Sequence, residues 1–455
     1  MHSPFRTTAL ALAFAWLAPA LSHAAPATNW PSWRGTSNAG IAPDATPPTS
    51  WSEQQNIKWK TRIPGKGYST PIVWQNRIYL LSAIEGGDSA ALRMPGVQSV
   101  FAQPTDRRGG RKGGGFGGGP APSKPHEFVV HALDRDTGRI VWQRTARKET
   151  PHEGHHQTNT FASSSPVTDG EHLYVPFGSR GYYCYDLEGN LKWEKDLGDM
   201  RTKMGFGEGA SPALAGRLLI IHWDHEDQSF IVALDKRTGA EVWRKPRDET
   251  SSWSTPLIVE HEGRRQAIVA ASKRTRSYDT ETGEVLWEAA GLTGNVIPMP
   301  VAGHGMVYVM SGFRGFSIQA IKLSSRGDVT DTDNIVWSVR RSAPYVPSPV
   351  LSGDRLYMSK SNDAYLSCLN ALTGEVIYQD QALPGVRSIY ASPIAANGHL
   401  YVVGREGTVM VIKDAPAFEV VATNKLNDRI DASPVALGKE LFLRGHEYLY
   451  CLSEG

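Results

Sequence analysis

Hydrophobic residues alternate with polar ones along this chain in short bursts, and the bursts recur. Each unit opens on a small residue and a proline and continues into an apolar run, as in "SPVTDGEHLYVPF" (Ser165–Phe177). That run divides at Asp169-Gly170 into two strands, because glycine tolerates the positive φ of a tight hairpin turn. "YYCYDLEGNLKW" (Tyr182–Trp193) supplies two more strands around Glu188-Gly189. The opening prolines are Pro71, Pro166, Pro212, Pro256, Pro300, Pro349, Pro393 and Pro434. The first interval, 95 residues, carries a glycine-rich insert; the others are 41–49 residues, the length of one four-stranded propeller blade. A helical reading fails, because Gly or Pro interrupts every candidate segment within about 12 residues.

A second pattern closes each unit. "ALDRDTGRIVW" (Ala132–Trp142) returns as "ALDKRTGAEVW" (Ala233–Trp243) and "SYDTETGEVLW" (Ser277–Trp287). Its turn falls at Thr137-Gly138, Thr238-Gly239, Thr282-Gly283 and Thr373-Gly374. A small residue facing a large one, Ala132 against Trp142, lets neighbouring sheets interdigitate. Degenerate copies fill the same slots: Ala320–Trp337 carries an inserted loop, and Cys368–Tyr378 ends in Tyr. The last unit, Ser433–Leu452, has three strands and no Trp strand, whereas Asn56–Thr61, with Trp59, is a Trp strand with no preceding three. The expected fold is therefore all-β: an eight-bladed β-propeller of four-stranded antiparallel blades over residues 56–455. The N-terminal strand completes the last blade, and closure removes the open sheet edge. Residues 25–55 are expected to pack on the ring through Trp30 and Trp33.

Composition narrows the partners. The chain has 455 residues, 48 basic and 46 acidic side chains and a net charge of +2, which gives no electrostatic footprint for nucleic acid. Arg6, the apolar run Thr8–Leu21 and Ser22-His23-Ala24 have the form of a signal peptide over residues 1–24. The chain is thus expected to be exported, to the periplasm or cell envelope. No apolar run is long enough for a transmembrane segment, and no Cys near the cleavage site indicates a lipid anchor. Cys184, Cys368 and Cys451 hold the same place in different repeats, with no CxxC motif; they are expected to be buried strand residues without a disulfide, zinc or haem.

The motif A-x-D-x-x-T-G-x-x-x-W resembles the tryptophan-docking repeat of pyrroloquinoline-quinone (PQQ)-like β-propellers, in eight in-phase copies over Ile57–Leu452. "NWPSWRG" (Asn29–Gly35) is similar to a segment that precedes exported propellers of this kind. The resemblance implies either of two functions. The family includes non-enzymatic envelope proteins, such as the propeller subunit of the outer-membrane protein assembly machinery. It also includes PQQ-dependent dehydrogenases of alcohols or sugars, which place the quinone at the channel mouth with a Ca²⁺ and an Asp base. The adjacent Cys-Cys that holds the quinone in the family's alcohol dehydrogenases is absent here, and their Glu, Asn and Asp ligands have no matching positions. The sequence thus favours a binding or scaffold propeller with no assigned catalytic residue or cofactor. A PQQ-dependent oxidoreductase using PQQ and Ca²⁺ is the alternative.

Loop lengths single out one face. Turns between first and second strands are short, as are the Thr-Gly turns, and all fall on one rim. The other rim collects Gly86–Phe128, Gln143–Phe161, His222–Ser229, Lys245–Trp253, Gly312–Phe316 and Ser359–Ala364. Irregular loops on a rigid scaffold are where binding residues concentrate. Arg180, Arg274, Arg314, Arg405 and Arg444 share one turn in five blades; pseudo-eightfold symmetry would set them around the channel mouth, where guanidinium groups suit a small anionic ligand or an envelope protein, and the alternative is that Arg is simply a soluble turn residue beside Gly. "HWDHEDQS" (His222–Ser229) offers Asp224 and Asp227 to a cation such as Ca²⁺; solvated or locally paired charges are the alternative, and Arg247 and Trp253, in the next link, could pair with the cluster or bridge one blade to the next. "HEGHH" (His152–His156) matches a zinc-protease pattern that needs a helix, which Pro151 and Gly154 deny; His152, His155 and Asn159 still fall on the same face. Trp253, Tyr345 and Tyr390 could hold a carbohydrate. The insert "DRRGGRKGGGFGGGPAPSKP" (Asp106–Pro125), within residues 86–126, is low in complexity and expected to be disordered.

Overall fold

Each repeat folds as the alternation predicts, into a four-stranded antiparallel meander. The computed structural model describes residues 29–86 and 117–454, so the expected signal peptide and the glycine-rich core of the insert, 87–116, lie outside the described residues. The first blade is Ile72–Trp74, Arg77–Glu85, His126–Asp134 and Ile140–Glu149, in that order across the sheet. Six further blades open at Val167, Ala213, Leu257, Val301, Val350 and Ile394. The eighth joins Val435–Leu437, Glu440–Arg444 and Tyr448–Ser453 to Ile57–Arg62, which pairs antiparallel with Tyr448–Ser453. Two sheets gain a short parallel fifth strand, Ile41–Ala42 on Ile394–Ala396 and Gly327–Asp328 on Val285–Ala289. Among the described residues no helix is long and apolar enough to cross a membrane.

The repeated motif is the joint between blades. Ala132 lies opposite Trp142, Cys184 opposite Trp193, Ala233 opposite Trp243 and Ala320 opposite Trp337, each beside a register shift. The indole then reaches the next blade. Trp142 Nε1 donates to the Leu187 carbonyl at 3.1 Å, Trp193 Nε1 to Lys236 at 3.0 Å and Trp243 Nε1 to Thr280 at 2.9 Å. In each case the acceptor follows the Asp of the neighbouring motif. That Asp shapes the turn, as Asp134 Oδ1 accepts from the Thr137 backbone N–H and hydroxyl. The turn glycine lies under the indole face: a Cβ on Gly239 would stand 2.8 Å from Trp193 Cδ2. Trp287 departs from this scheme, donating to Gln266 Oε1 in its own blade, because the loop after Lys322 replaces the fifth blade's Thr-Gly turn.

The three cysteines are free and buried, each opposite the aromatic residue that closes its blade: Trp193, Tyr378 and Trp59. Burial pushes the Cys184 and Cys368 thiols up to about 12, so they stay protonated.

Residues 29–55 cross the uniform-turn rim and enter the channel. Trp30 exchanges backbone hydrogen bonds with Val73, and Pro31 accepts from Thr168. Arg34 is wholly buried and donates to the Pro349, Pro393 and Ala39 carbonyls at 2.6, 2.7 and 3.0 Å. Its guanidinium occupies the space a Cβ on Gly40 would need, and Gly40 itself has φ +71°. Thr46 then donates to Gly438 in the eighth blade.

The expectation of disorder does not extend to residues 117–125. Gly118 and Gly119 donate to Met204 and His155. A Cβ on Gly118 would collide with the Gly205 carbonyl; the glycines that lower complexity also let this backbone lie against its neighbour.

Candidate functional site

The eight links that lead into the innermost strands converge around the channel axis. In seven of them the residue before the opening proline is Ser or Thr, and these residues tie neighbouring blades together. Thr70 N–H donates to Ser165 Oγ at 2.9 Å, Ser165 N–H to Ser211 Oγ at 2.9 Å and Ser211 N–H to Thr255 Oγ1 at 3.2 Å. The chain resumes from Met299 N–H to Ser348 Oγ at 2.9 Å, then to Ser392 at 2.8 Å, Ser433 at 3.0 Å and back to Thr70 Oγ1 at 3.1 Å. Met299 brings no hydroxyl, and the circle opens between Thr255 and Met299. Each of the seven hydroxyls is spent as an acceptor; among the described residues none donates its own proton to a protein acceptor. All seven border the same cavity.

That cavity, of about 390 Å³, opens toward the irregular face. Trp33 of the N-terminal segment reaches it from the opposite end. Above the hydroxyls stands an aromatic collar: Tyr68, Phe206, Trp253, Phe313, Tyr345 and Tyr390. Phe313 stacks on Tyr345 at 4.9 Å between centroids, and Phe206 tilts against Trp253 at 6.3 Å. Trp253 Nε1 donates to the Gly207 carbonyl at 2.7 Å, which fixes the indole.

Among the described residues one charged group borders the cavity, Asp431. Arg405 Nε and Nη2 both donate to it, the latter at 3.1 Å, and His446 Nε2 lies 2.9 Å from Oδ2. Burial pushes the Asp431 carboxyl up, but the hydrogen bonds from His446 and Arg405 outweigh it and hold the carboxyl below its ordinary range. Arg405 also lies 4.1 Å over the Tyr390 ring, and Tyr68 stacks on His446 at 4.7 Å. Burial, with the Asp431 charge, raises the Tyr68 hydroxyl to about 12. His156, also on the cavity wall, is lowered by burial and by Arg405, so it is neutral at pH 7.

The five arginines do not form a ring of open guanidinium groups at the mouth. Arg180 is buried between Glu149 at 3.2 Å and Glu208 at 3.5 Å. Arg274 sits on Glu288 at 3.2 Å and Asp328 at 2.7 Å. Arg314 is exposed beside its own Phe313 ring. Arg405 holds Asp431, and Arg444 is buried on the Gly67 carbonyl at 2.9 Å. The shared turn was legible, but the partners in other strands and links that draw Arg180, Arg405 and Arg444 inward were not.

Asp224 and Asp227 do not converge on a cation position. Asp224 is fully buried; Arg247 Nε and Nη2 donate to it at 2.6 and 3.0 Å, with His222 and Ser252 also in contact. Burial raises the Asp224 carboxyl, yet the Arg247 and His222 charges push it strongly down. Asp227 is exposed and pairs with Arg201 at 2.6 Å. Ion pairing of this loop with the links on either side of its own blade, not metal spacing, accounts for this cluster. The "HEGHH" stretch is not helical: His152 Nε2 contacts the Met200 carbonyl at 2.7 Å, and His155 packs edge-on against Phe161. Asn159 donates to the Phe206 and Glu208 carbonyls, both at 3.0 Å, and so braces one side of the cavity. The structure thus brings Asn159, Trp253, Tyr345 and Tyr390 to one cavity, places most of the other expected site residues in ion pairs and hydrogen bonds around it, and leaves Arg314 and Asp227 exposed. Sequence reading passed over the hydroxyl circle, although Ser or Thr before seven prolines was its visible signal.

The quinone and Ca²⁺ of the dehydrogenases do not fit these residues. PQQ carries three carboxylates, whereas the one charged residue lining the cavity among the described residues is acidic, and the guanidinium over its Tyr390 ring is already bound to that acid. Among the described residues no three His, Cys, Asp or Glu side chains converge to hold a metal.

Comparison with known proteins follows the same lines. The family model described as outer membrane protein assembly factor BamB matches residues 126–251 and 226–454, more than half of the chain. Outer membrane protein assembly factor BamB of Yersinia pestis is 24% identical over 298 residues, 61% of this chain and 68% of that protein. BamB from Moraxella catarrhalis superposes with a TM-score of 0.52 at 13% identity, over 72% of this chain and 93% of that one. Quinohemoprotein alcohol dehydrogenase from Comamonas testosteroni reaches a TM-score of 0.61 at 9% identity, over 95% of this chain and 81% of that one; at such identities the likeness is one of fold. With its eight closed blades and the matched repeats, this chain belongs to the PQQ-like β-propellers of the outer membrane protein assembly factor BamB family.

Proposed function

We propose that this protein is an exported, non-catalytic binding propeller of the cell envelope that recognises its partner at the irregular face, with the aromatic collar at the centre. The observation that carries the reading is the asymmetry of the channel. Its uniform-turn end holds the N-terminal segment through Arg34 and Trp33, while the other end opens through six aromatic side chains. Aromatic groups fixed by packing give contact area at low entropic cost, as recognition surfaces require. Membership of the BamB family supports an envelope setting and protein partners. The donor set argues against the quinone alternative.

The test compares wild type with Tyr345→Ala and Phe313→Ala, each immobilised and exposed to envelope extract. The expected result is a protein retained by wild type and lost by both collar variants. A parallel titration with PQQ and Ca²⁺ is expected to leave the absorbance of the free quinone unchanged. Tight quinone binding, with dye reduction by an alcohol or sugar, would establish the dehydrogenase instead.

A further inference from the structure

We infer that the channel cavity is a binding site for a neutral saccharide, held between the aromatic collar and the circle of hydroxyls. The inference rests on reading the irregular face as the binding face and names a ligand class for its centre.

Size comes first. At about 390 Å³ the cavity falls within the roughly 300–1,000 Å³ of small-molecule sites. A pyranose ring has two kinds of surface. Its C–H faces pack on aromatic rings, and its rim carries hydroxyls that both donate and accept. The cavity offers both complements. Trp253 presents an indole whose N–H is already engaged by Gly207, so its face is what remains for contact. Phe313 and Tyr345 form a second aromatic wall.

The hydroxyl circle supplies the polar half. Each Ser or Thr oxygen receives a backbone N–H from the blade before it, as Ser392 Oγ does from Ser348. That leaves each O–H proton for an acceptor in the channel. A buried donor left without an acceptor is unfavourable, so oxygen atoms on a ligand suit this throat. Asp431 supplies the opposite function. With four lone-pair positions and three contacts from Arg405 and His446, its carboxylate keeps one position for a ligand hydroxyl.

Charge then sets the class. Arg405, behind the wall, is neutralised by Asp431, His156 is held neutral by burial, and no Lys or Arg borders the cavity among the described residues. An anionic ligand would bring its charge beside Asp431 without a free cation to meet it, at a desolvation cost that a neutral sugar avoids.

The experiment titrates the full chain with glucose, N-acetylglucosamine and cellobiose, followed by tryptophan fluorescence and calorimetry, with glucuronate as the anionic counterpart of glucose. At least one neutral sugar is expected to saturate. Trp253→Ala should weaken it by about tenfold or more, and Tyr390→Phe by about threefold to tenfold; glucuronate should bind about tenfold or more weakly than glucose. Melting curves accompany each variant, and if Trp253→Ala does not fold, Tyr390→Phe, which removes one oxygen, decides. The inference is overturned if no neutral sugar saturates, if glucuronate binds as well as glucose, or if Tyr390→Phe, with Trp253→Ala where it folds, binds like wild type. Loss of the captured envelope protein by collar variants, with no sugar bound, would overturn the saccharide and leave the binding face standing.

Discussion

Trp59 lies flat on Gly138, and this contact closes the ring. A Cβ on Gly138 would stand 2.5 Å from Trp59 Cδ2. The indole N–H donates to Arg135 at 2.8 Å, and Thr61 Oγ1 donates to the Gly138 carbonyl at 2.8 Å. Trp59 belongs to the strand that joins the N-terminal part of the chain to the eighth blade, whereas Gly138 lies in the first blade, so the joint is the ring's seam. Gly263 provides the control: it has a similar φ of +72°, and a Cβ placed there would meet nothing within 4 Å. Gly263→Ala is expected to cost about 1–2 kcal/mol, the left-handed backbone penalty alone. Gly138→Ala should cost a further 1–3 kcal/mol or so from overpacking against the indole. Urea unfolding of the two variants reads the difference, and equal losses would refute the seam as a tight joint.

The hydroxyl circle makes a second, sharper expectation. Ser392→Ala leaves the buried Ser348 amide without its acceptor and should destabilise the fold by about 1–3 kcal/mol. Met299→Thr is formally the reverse change, since it would offer Thr255 the missing hydroxyl. One new hydrogen bond contributes only about 1 kcal/mol, however. Met299 is fully buried with Leu257, Ile268 and Trp287, and shortening a buried Met costs about 2–5 kcal/mol. The net expectation is a loss. Thermal melting of Met299→Thr above wild type would show that closing the circle outweighs packing.

The contrast between these two joints explains what the sequence reveals. The docking joint recurs at one spacing with a rare residue, Trp, so its pattern survives in one chain and even predicts that Ile57–Arg62 completes the eighth blade. The hydroxyl circle is written in Ser and Thr before proline, a pattern as regular but in common residues. The arginines were visible as repeats, but their fate depends on Glu149, Glu208, Asp328 and Asp431, acids in other strands and links that local spacing does not reveal. Arg34 and Trp33 occur once each, and nothing periodic marks a segment that enters the channel from the other rim.

The Asp224–Arg247 pair gives a third test. Both side chains are inaccessible to solvent, and Arg247 also donates to the Tyr278 hydroxyl. Asp224→Ala strands a buried guanidinium and should cost about 3–5 kcal/mol. Replacing both, Asp224→Leu with Arg247→Met, should recover most of that loss, because burying two apolar side chains avoids two desolvated charges. Denaturant midpoints of the single and double variants decide. Calcium should raise neither the wild-type midpoint nor the variants', since the Asp224 oxygens already serve Arg247 and Asp227 lies with Arg201.

His131 sets the response to acid. It is wholly buried in the first blade, with Ser82 Oγ 2.7 Å from Nε2 and Gln143 Nε2 2.7 Å from Nδ1. Gln143 Nε2 can only donate, so Nδ1 accepts and Nε2 carries the proton, the neutral form. Burial, and secondarily the Arg444 charge, lowers this imidazole from 6.5 to about 3. Above pH 6.5 the ring is neutral in both folded and unfolded chains, and its contribution is complete. As pH falls below 6.5 the unfolded chain takes up a proton that the folded one refuses, so stability drops by about 1.4 kcal/mol per pH unit until the folded ring titrates. His126, His155 and His156 are lowered too and act in the same direction, so the comparison must be differential. Between pH 6.5 and 4.5, wild type is expected to lose about 2–3 kcal/mol more than His131→Gln, which starts less stable but carries no proton site there. Parallel slopes in urea unfolding across that window would mean that His131 does not stay neutral inside the blade.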